Sequence, residues 1–206
     1  MKACTSARDL AMIYLLRHGQ TAFNAAGRMQ GHLDSDLTTL GQAQAHAMGA
    51  RLAPLLGTTP FAAYISPLGR TRATAAIVLG HLPPPALIQY DPRLIEIGMG
   101  KWDGLTDFEI EAEFPGARAG MTPQQWAYHG PEGEDFQTVR HRLAAAMAQI
   151  AADPRPITIV VSHGAVGRVI RGDHAGLTQD QMLAQDAPQD AFFALALDGS
   201  VTRIAC

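Results

Sequence analysis

Short apolar runs alternate along the chain with stretches of helical period. The runs at 12–16 (MIYLL), 61–65 (FAAYI), 86–90 (ALIQY), 157–161 (ITIVV) and 192–197 (FFALAL) have the length and the aliphatic and aromatic content of strands. Between them lie an Ala- and Leu-rich segment from Leu40 to Leu56 with Thr38 placed to cap it, an Ala-rich segment over 69–80, and a third from a capping Asp135 to about Ala152. Pro83-Pro84-Pro85 stops the second of these and delivers the chain to a strand. The alternation predicts an α/β fold, a three-layer α/β/α sandwich around a mostly parallel sheet, with the wholly apolar 157–161 as a central strand. From 98 to 133 the pattern becomes irregular, with two short helical stretches and the turn-rich HGPEGED, which predicts a lid-like excursion outside the sheet. No repeat or domain boundary interrupts 1–206, so a single domain is expected.

A chain of 206 residues can bury about 70% of its unfolded surface and needs no covalent staple. With 47% hydrophobic and 17% charged residues and a net charge of −3, no nucleic acid and no anionic membrane is expected as a partner. No run reaches the ~18 apolar residues of a membrane-spanning helix. Cys4 and Cys206 alone make neither a disulfide framework nor a CxxC metal knuckle, which fits a reducing, cytoplasmic setting. The opening MKACTSARDLAMIYLL runs straight into Arg17-His18 without a small-residue cleavage site, and reads as an irregular start before the first strand. The positive charge that matters must therefore be local.

Three of the expected strands end in the same chemistry. Arg17-His18-Gly19 follows the first, Ser66-Pro67-Leu68-Gly69-Arg70 the second and Ser162-His163-Gly164 the fourth. In open α/β sheets ligands bind beyond the carboxyl ends of the strands, so two arginines and two histidines converge on one crevice. Such a crevice suits an anion, and a phosphate best, because the guanidinium fork matches its oxygens. Beside phosphate a neutral imidazole is a competent nucleophile, and attack on phosphorus gives a phosphohistidine. Phosphoryl transfer also needs its charge neutralised, for which Arg17, Arg70 and His163 are suited, and its leaving alkoxide protonated. Glu96, in RLIEIGMGKWDG, offers the carboxylic acid; Asp103 and Glu109 stand further from the strand end. His32, His46, His81, His129, His141 and His174 show no metal-ligand spacing and read as surface residues.

Together R-H-G-x-T-x-x-N at 17–24, S-P-x-x-R-T at 66–71, L-x-E-x-x-x-G-x-W-D-G at 94–104 and S-H-G at 162–164 resemble the histidine phosphatase superfamily, from about residue 12 to the end. The resemblance implies His18 as the nucleophile and Arg17, Arg70 and His163 as ligands of the phosphoryl oxygens, with help from Asn24 and the backbone of Gly164. It implies Glu96 as acid and then base, a substrate-side loop at Gln30-Gly31, and no metal or cofactor. Trp102, Trp126 and Tyr128 are candidates for the pocket wall or for a layer behind it. Asp36, Asp135 and Ala165 depart from the family's usual proline, serine and glycine, which touches loop contacts and not the chemistry. The family's bisphosphoglycerate-dependent mutases are longer and carry Glu-Arg-His-Tyr-Gly where this chain has Glu96-Ile97-Gly98-Met99-Gly100. The expected function is thus metal-independent hydrolysis of a small-molecule phosphate ester; the alternatives are mutase activity and a non-catalytic phosphate-ester-binding regulator. Neither the ester nor the oligomeric state is legible in the sequence.

Overall fold

A computed structural model describes residues 12–206, so the expectations for the first eleven residues, Cys4 included, lie outside the described residues. Six strands form one sheet: β1 (Met12–Arg17), β2 (Phe61–Ile65), β3 (Leu87–Tyr90), β4 (Ile157–Ser162), β5 (Ala191–Ala196) and β6 (Val201–Ala205), in the order β3-β2-β4-β1-β5-β6. The first four run parallel, and β5 and β6 add an antiparallel edge to β1. Buried along its whole length, β4 lies between β2 and β1. The apolar runs of the sequence do not include β6. It is a largely exposed edge strand with too weak an apolar pattern to stand alone, and the Asp198-Gly199 turn that folds it back onto β5 is its one signal.

The helices are α1 (Ala22–Ala25), α2 (Thr39–Leu56), α3 (Gly69–Leu79), α4 (Asp107–Glu113), α5 (Pro123–Trp126), α6 (Phe136–Ala151), α7 (Gly164–His174) and α8 (Gln179–Leu183). Successive strand residues point to opposite faces, and this splits the core in two. Tyr14, Leu16 and Ile159 pack against Ala45, Met48 and Leu52 of α2 and Ala75 and Val78 of α3. On the other face Leu15, Val160 and Phe193 meet Val139, Leu143 and Ile150 of α6 and Val166 and Val169 of α7. The spacing of three and four residues between the buried positions of α2 and α6 is what lays each helix flat on the sheet. Each fully buried leucine or phenylalanine contributes about 1.5–3 kcal/mol. The three-layer sandwich is therefore as the alternation predicts.

Two of the caps are the expected ones. The Thr38 hydroxyl accepts from Gly41 N at 3.1 Å, and the Asp135 carboxylate accepts from Thr138 N at 2.7 Å. Asp135 thus does the work of the usual serine. Helix α3 has no capping side chain of its own, and Asp34, from a distant loop, accepts from the backbone N–H of Gly69 and Arg70 instead. The excursion over 98–133 holds a 3-10 turn (Gly100–Trp102), α4 and α5. Its aromatic side chains extend the core on the α6 and α7 side: fully buried Trp102 meets Trp126 edge-on at 5.5 Å and Phe114 at 6.5 Å.

Candidate active site

The register of the sheet brings the three strand ends level. Arg17 is paired with Ser162, and Ile65 with Val161, so the chain leaves the sheet at three adjacent points. Ladder bonds continue one residue further, from His18 N to Ser162 O (3.1 Å) and from Ser66 N to Val161 O (2.9 Å). His18, Ser66 and His163 thereby stand side by side. The loop after His18 is pressed against α2: a Cβ at Gly19 would lie 2.2 Å from the Gly41 carbonyl oxygen, so only glycine fits there.

His18 is 3% exposed, and its Nδ1 lies 2.8 Å from the Gly19 carbonyl. A carbonyl can only accept, so Nδ1 carries the proton and Nε2 keeps its lone pair. Burial, then Arg17 and Arg70, hold the His18 imidazole well below the usual histidine range, so it is neutral near pH 7. His163, whose ring centre is 5.3 Å away, is likewise held low by burial and then by His18 and the arginines. The Ser66 hydroxyl sits 2.7 Å from His163 Nε2.

Arg70 has its Nη1 on the Leu33 carbonyl (2.6 Å) and on Asp34 (3.1 Å), and its Nη2 on the Gly31 carbonyl (2.8 Å). Arg17 donates to the Ala187 carbonyl. Burial draws both guanidiniums down from their ordinary value, with Glu96 the largest opposing influence, and both remain cations. Arg17 Nε, Arg70 Nε and His163 Nδ1 are buried without a partner among the described residues. Buried polar groups are nearly always paired, and these three orphans flank one imidazole.

Opposite them, the Glu96 carboxyl accepts from the backbone N–H of Ile97 (3.1 Å), Ala165 (3.2 Å) and Val166 (3.2 Å), the last two at the start of α7. Ala165 serves through its backbone, so the lost glycine does not disturb this contact. A clamp holds the segment that carries Glu96. Arg142 of α6 donates to the carbonyls of Arg93 (2.6 Å), Ile95 (2.9 Å) and Glu96 (3.2 Å), and forms two bonds to Glu134. Glu134 in turn accepts from Gly98 N at 2.9 Å. Burial alone would raise the Glu134 carboxyl, but hydrogen bonds from His32, Arg142 and Gly98 N bring it down to about 2. His32 is more than a surface residue: its Nε2 lies 3.0 Å from the Glu96 carbonyl and 3.6 Å from the Glu134 carboxylate.

A cleft of about 250 Å³ opens between these halves, and Arg17, His18, Asn24, Gln30, Gly31, Arg70, Glu96 and Gly164 all line it. His163 backs onto His18 beneath. Asn24 closes a capping box with Thr21, and its Oδ1 also accepts from Gln189 (3.1 Å), which leaves its NH₂ for the cleft. The Gln30 amide is spent on the Thr21 hydroxyl (2.7 Å) and Ser35, so Gln30 shapes the wall. Gly31, at φ +48°, would drive a Cβ into the Asp103 carboxylate. The alternative acids are engaged elsewhere: Asp103 accepts from Met99 N and His32 N, and Glu109 pairs with Arg28. Trp126 lines the cleft, whereas Trp102 lies behind it. Asp34, the Arg142–Glu134 clamp and Arg168, another residue of the cleft wall, stand outside the sequence motifs. Glu134 has a weak signal in the sequence, its place beside a helix cap; Arg142 and Arg168 have none.

The model of the histidine phosphatase superfamily (branch 1) matches residues 13–204. The chain belongs to that superfamily. Among curated relatives of this histidine phosphatase, the glucosyl-3-phosphoglycerate phosphatase of Mycolicibacterium vanbaalenii is 36% identical over 176 residues, covering 82% of this chain and 76% of that protein. A probable phosphoglycerate mutase of Erwinia tasmaniensis is 35% identical over 158 residues, covering 75% and 70%. Among solved structures, Bacillus stearothermophilus YhfR superposes with a TM-score of 0.79 at 30% identity over 95% of this chain and 96% of that one. The histidine phosphatase described here is an enzyme of the phosphatase type, with the family's α/β fold. None of its helices, among the described residues, is long and apolar enough to cross a membrane.

Proposed function

We propose that the protein hydrolyses small phosphomonoesters through a phosphohistidine at His18, without a metal ion. The observation that carries the reading is the pairing of a fixed tautomer with orphaned donors. Nδ1–H of His18 is committed to Gly19 O, its Nε2 lone pair is free, Arg17 Nε and Arg70 Nε lack an acceptor, and His163 Nδ1 has no partner. A phosphoryl group on these donors would present phosphorus to Nε2.

In the first step the Nε2 lone pair forms the N–P bond as the P–O bond to the substrate breaks, and Glu96 gives its proton to the departing oxygen. In the second, Glu96 takes a proton from water, whose oxygen attacks phosphorus and releases His18 with inorganic phosphate. Arg17 and Arg70 neutralise the equatorial oxygens as charge spreads over them, and His163 and the Asn24 NH₂ hydrogen-bond to them. Three backbone N–H groups and the Arg142–Glu134 clamp keep the Glu96 carboxyl in place for both proton transfers.

Phosphate release from a panel of phosphomonoesters, measured with chelator present, tests this reading. Release by the wild type that persists in chelator and is absent from His18→Ala supports it. Release that depends on added metal, or that survives the substitution, contradicts it. Turnover of phosphoglycerate isomers without phosphate release assigns the mutase reading instead.

A further inference from the structure

Resting on the hydrolytic reading above, we infer that His32 is a positioning residue for the proton donor: it ties the Glu96 segment to the loop that holds Arg70, and so sets where the Glu96 carboxyl stands relative to the phosphoryl group. The observation behind this is how one short loop divides between the two sides of the cleft. Gly31, Leu33 and Asp34 all serve Arg70, giving its guanidinium two carbonyls (2.8 and 2.6 Å) and a carboxylate (3.1 Å). His32, between them, turns the other way. Its Nε2 lies 3.0 Å from the Glu96 carbonyl and 3.6 Å from the Glu134 carboxylate. A carbonyl can only accept, so Nε2 carries a proton and donates it to Glu96 O.

The junction is tight. A Cβ at Gly98 would lie 2.9 Å from His32 Cε1, so the ring rests on bare backbone of the Glu96 segment. Asp103 accepts from His32 N at 3.3 Å and from Met99 N at 3.0 Å, which joins the same loop to the same segment a second time. The other bonds to Glu96 come from one face of the sheet: Arg142 belongs to α6, and Ala165 and Val166 to α7. Arg70 belongs to α3, which packs on the opposite face. The acid and the phosphoryl ligand are thus held by helices from different layers, and the loop at 31–34 reaches both. Misplacing a catalytic group by about 1 Å can cost about 10²-fold in rate, so a strut between the layers bears on proton delivery even though it touches no substrate.

The test measures kcat and KM of His32→Ala and His32→Gln on an alkyl phosphate and on an aryl phosphate with a good leaving group, with inorganic phosphate as the inhibitor. The His32 side chain is 43% exposed, so its removal leaves the folded core intact. His32→Ala should lose about tenfold in kcat on the alkyl ester and less than about twofold on the aryl ester, which needs no proton, with KM and phosphate inhibition unchanged. His32→Gln keeps an N–H donor near the place of Nε2 and should recover most of the loss. Equal losses on both esters, weaker phosphate inhibition, or no recovery by glutamine would overturn the inference. If the wild type hydrolyses no ester, the hydrolytic reading fails by itself, and hydrogen exchange tests the strut without turnover. The amides of Ile97, Gly98 and Met99 should then exchange at least about fivefold faster in His32→Ala, with β1 and β4 unaffected. Unchanged exchange over 97–99 would overturn the inference.

Discussion

The two halves of the cleft are built by different means. On one side Arg17, His18, Ser66 and His163 are consecutive with buried parallel strands, and the register of β1, β4 and β2 places them. On the other side Glu96 lies on an irregular segment six residues past β3, and side chains hold it: Arg142 on three carbonyls and Glu134 on Gly98 N. The first half is as rigid as the sheet core. The second rests in part on one ion pair, with its partners 15% and 21% exposed, and can be loosened without unfolding the sheet. Binding of the phosphoryl group and delivery of the proton should therefore be separable by mutation.

Arg70→Ala strikes the strand-end half and should have the largest effect in this comparison, about 10³-fold in kcat/KM, with weaker inhibition by inorganic phosphate. A loss confined to KM would mean that Arg70 binds the ground state and the transition state alike. Glu96→Gln strikes the other half. It should slow alkyl phosphates by about 10²–10³-fold and an aryl phosphate with a good leaving group by less than about tenfold, since the latter needs no proton. Equal losses on the two would remove Glu96 from the acid role.

Glu134→Gln spares every group proposed to touch the substrate but removes the charge that pairs with Arg142. The expected result is a fall in kcat of about tenfold on alkyl phosphates with phosphate inhibition retained, and a loss of about 1–3 kcal/mol in denaturant unfolding. Weaker phosphate inhibition in this variant would show that the two halves are coupled. The smallest effect concerns pH. Buried His18 and His163 take up a proton far less readily when folded than at the unfolded value near 6.5, so below that pH the unfolded chain binds more protons. Their contribution is fully present above about pH 6.5 and is lost as pH falls, at about 1 kcal/mol per unit for each histidine. Thermal unfolding between pH 7.5 and 5.5 should show this slope, and His163→Asn should flatten it. Glu134 adds a second acid-labile step, between its ordinary carboxylate range and about 2.

The same division explains what the sequence could tell. Strand-end residues are legible because a buried apolar run such as ITIVV dictates where the chain leaves the sheet, and Ser162-His163-Gly164 follows at that point. The helices α2 and α6 were legible through period and through their caps Thr38 and Asp135. By contrast, Asp34 caps α3 and orients Arg70 from 36 positions away, and Arg142 meets Glu96 from 46 positions away. Neither pairing leaves a local pattern, because nothing in the helix propensity of an exposed-looking Arg or Asp distinguishes a clamp from a solvated charge. Gln30 shows the converse: it lies in the expected loop, yet its amide is turned to Thr21.

The central claim is that phosphorus becomes bonded to His18 Nε2. Rapid acid-free quenching during turnover of a phosphomonoester, followed by intact-mass and peptide mapping, tests it most directly. The account predicts a single added phosphoryl group on the peptide containing His18, labile to acid and stable to base. It predicts accumulation of that species in Glu96→Gln with an aryl phosphate, and none in His18→Ala. A phosphoryl group found on another residue, or full turnover by His18→Ala, would contradict it.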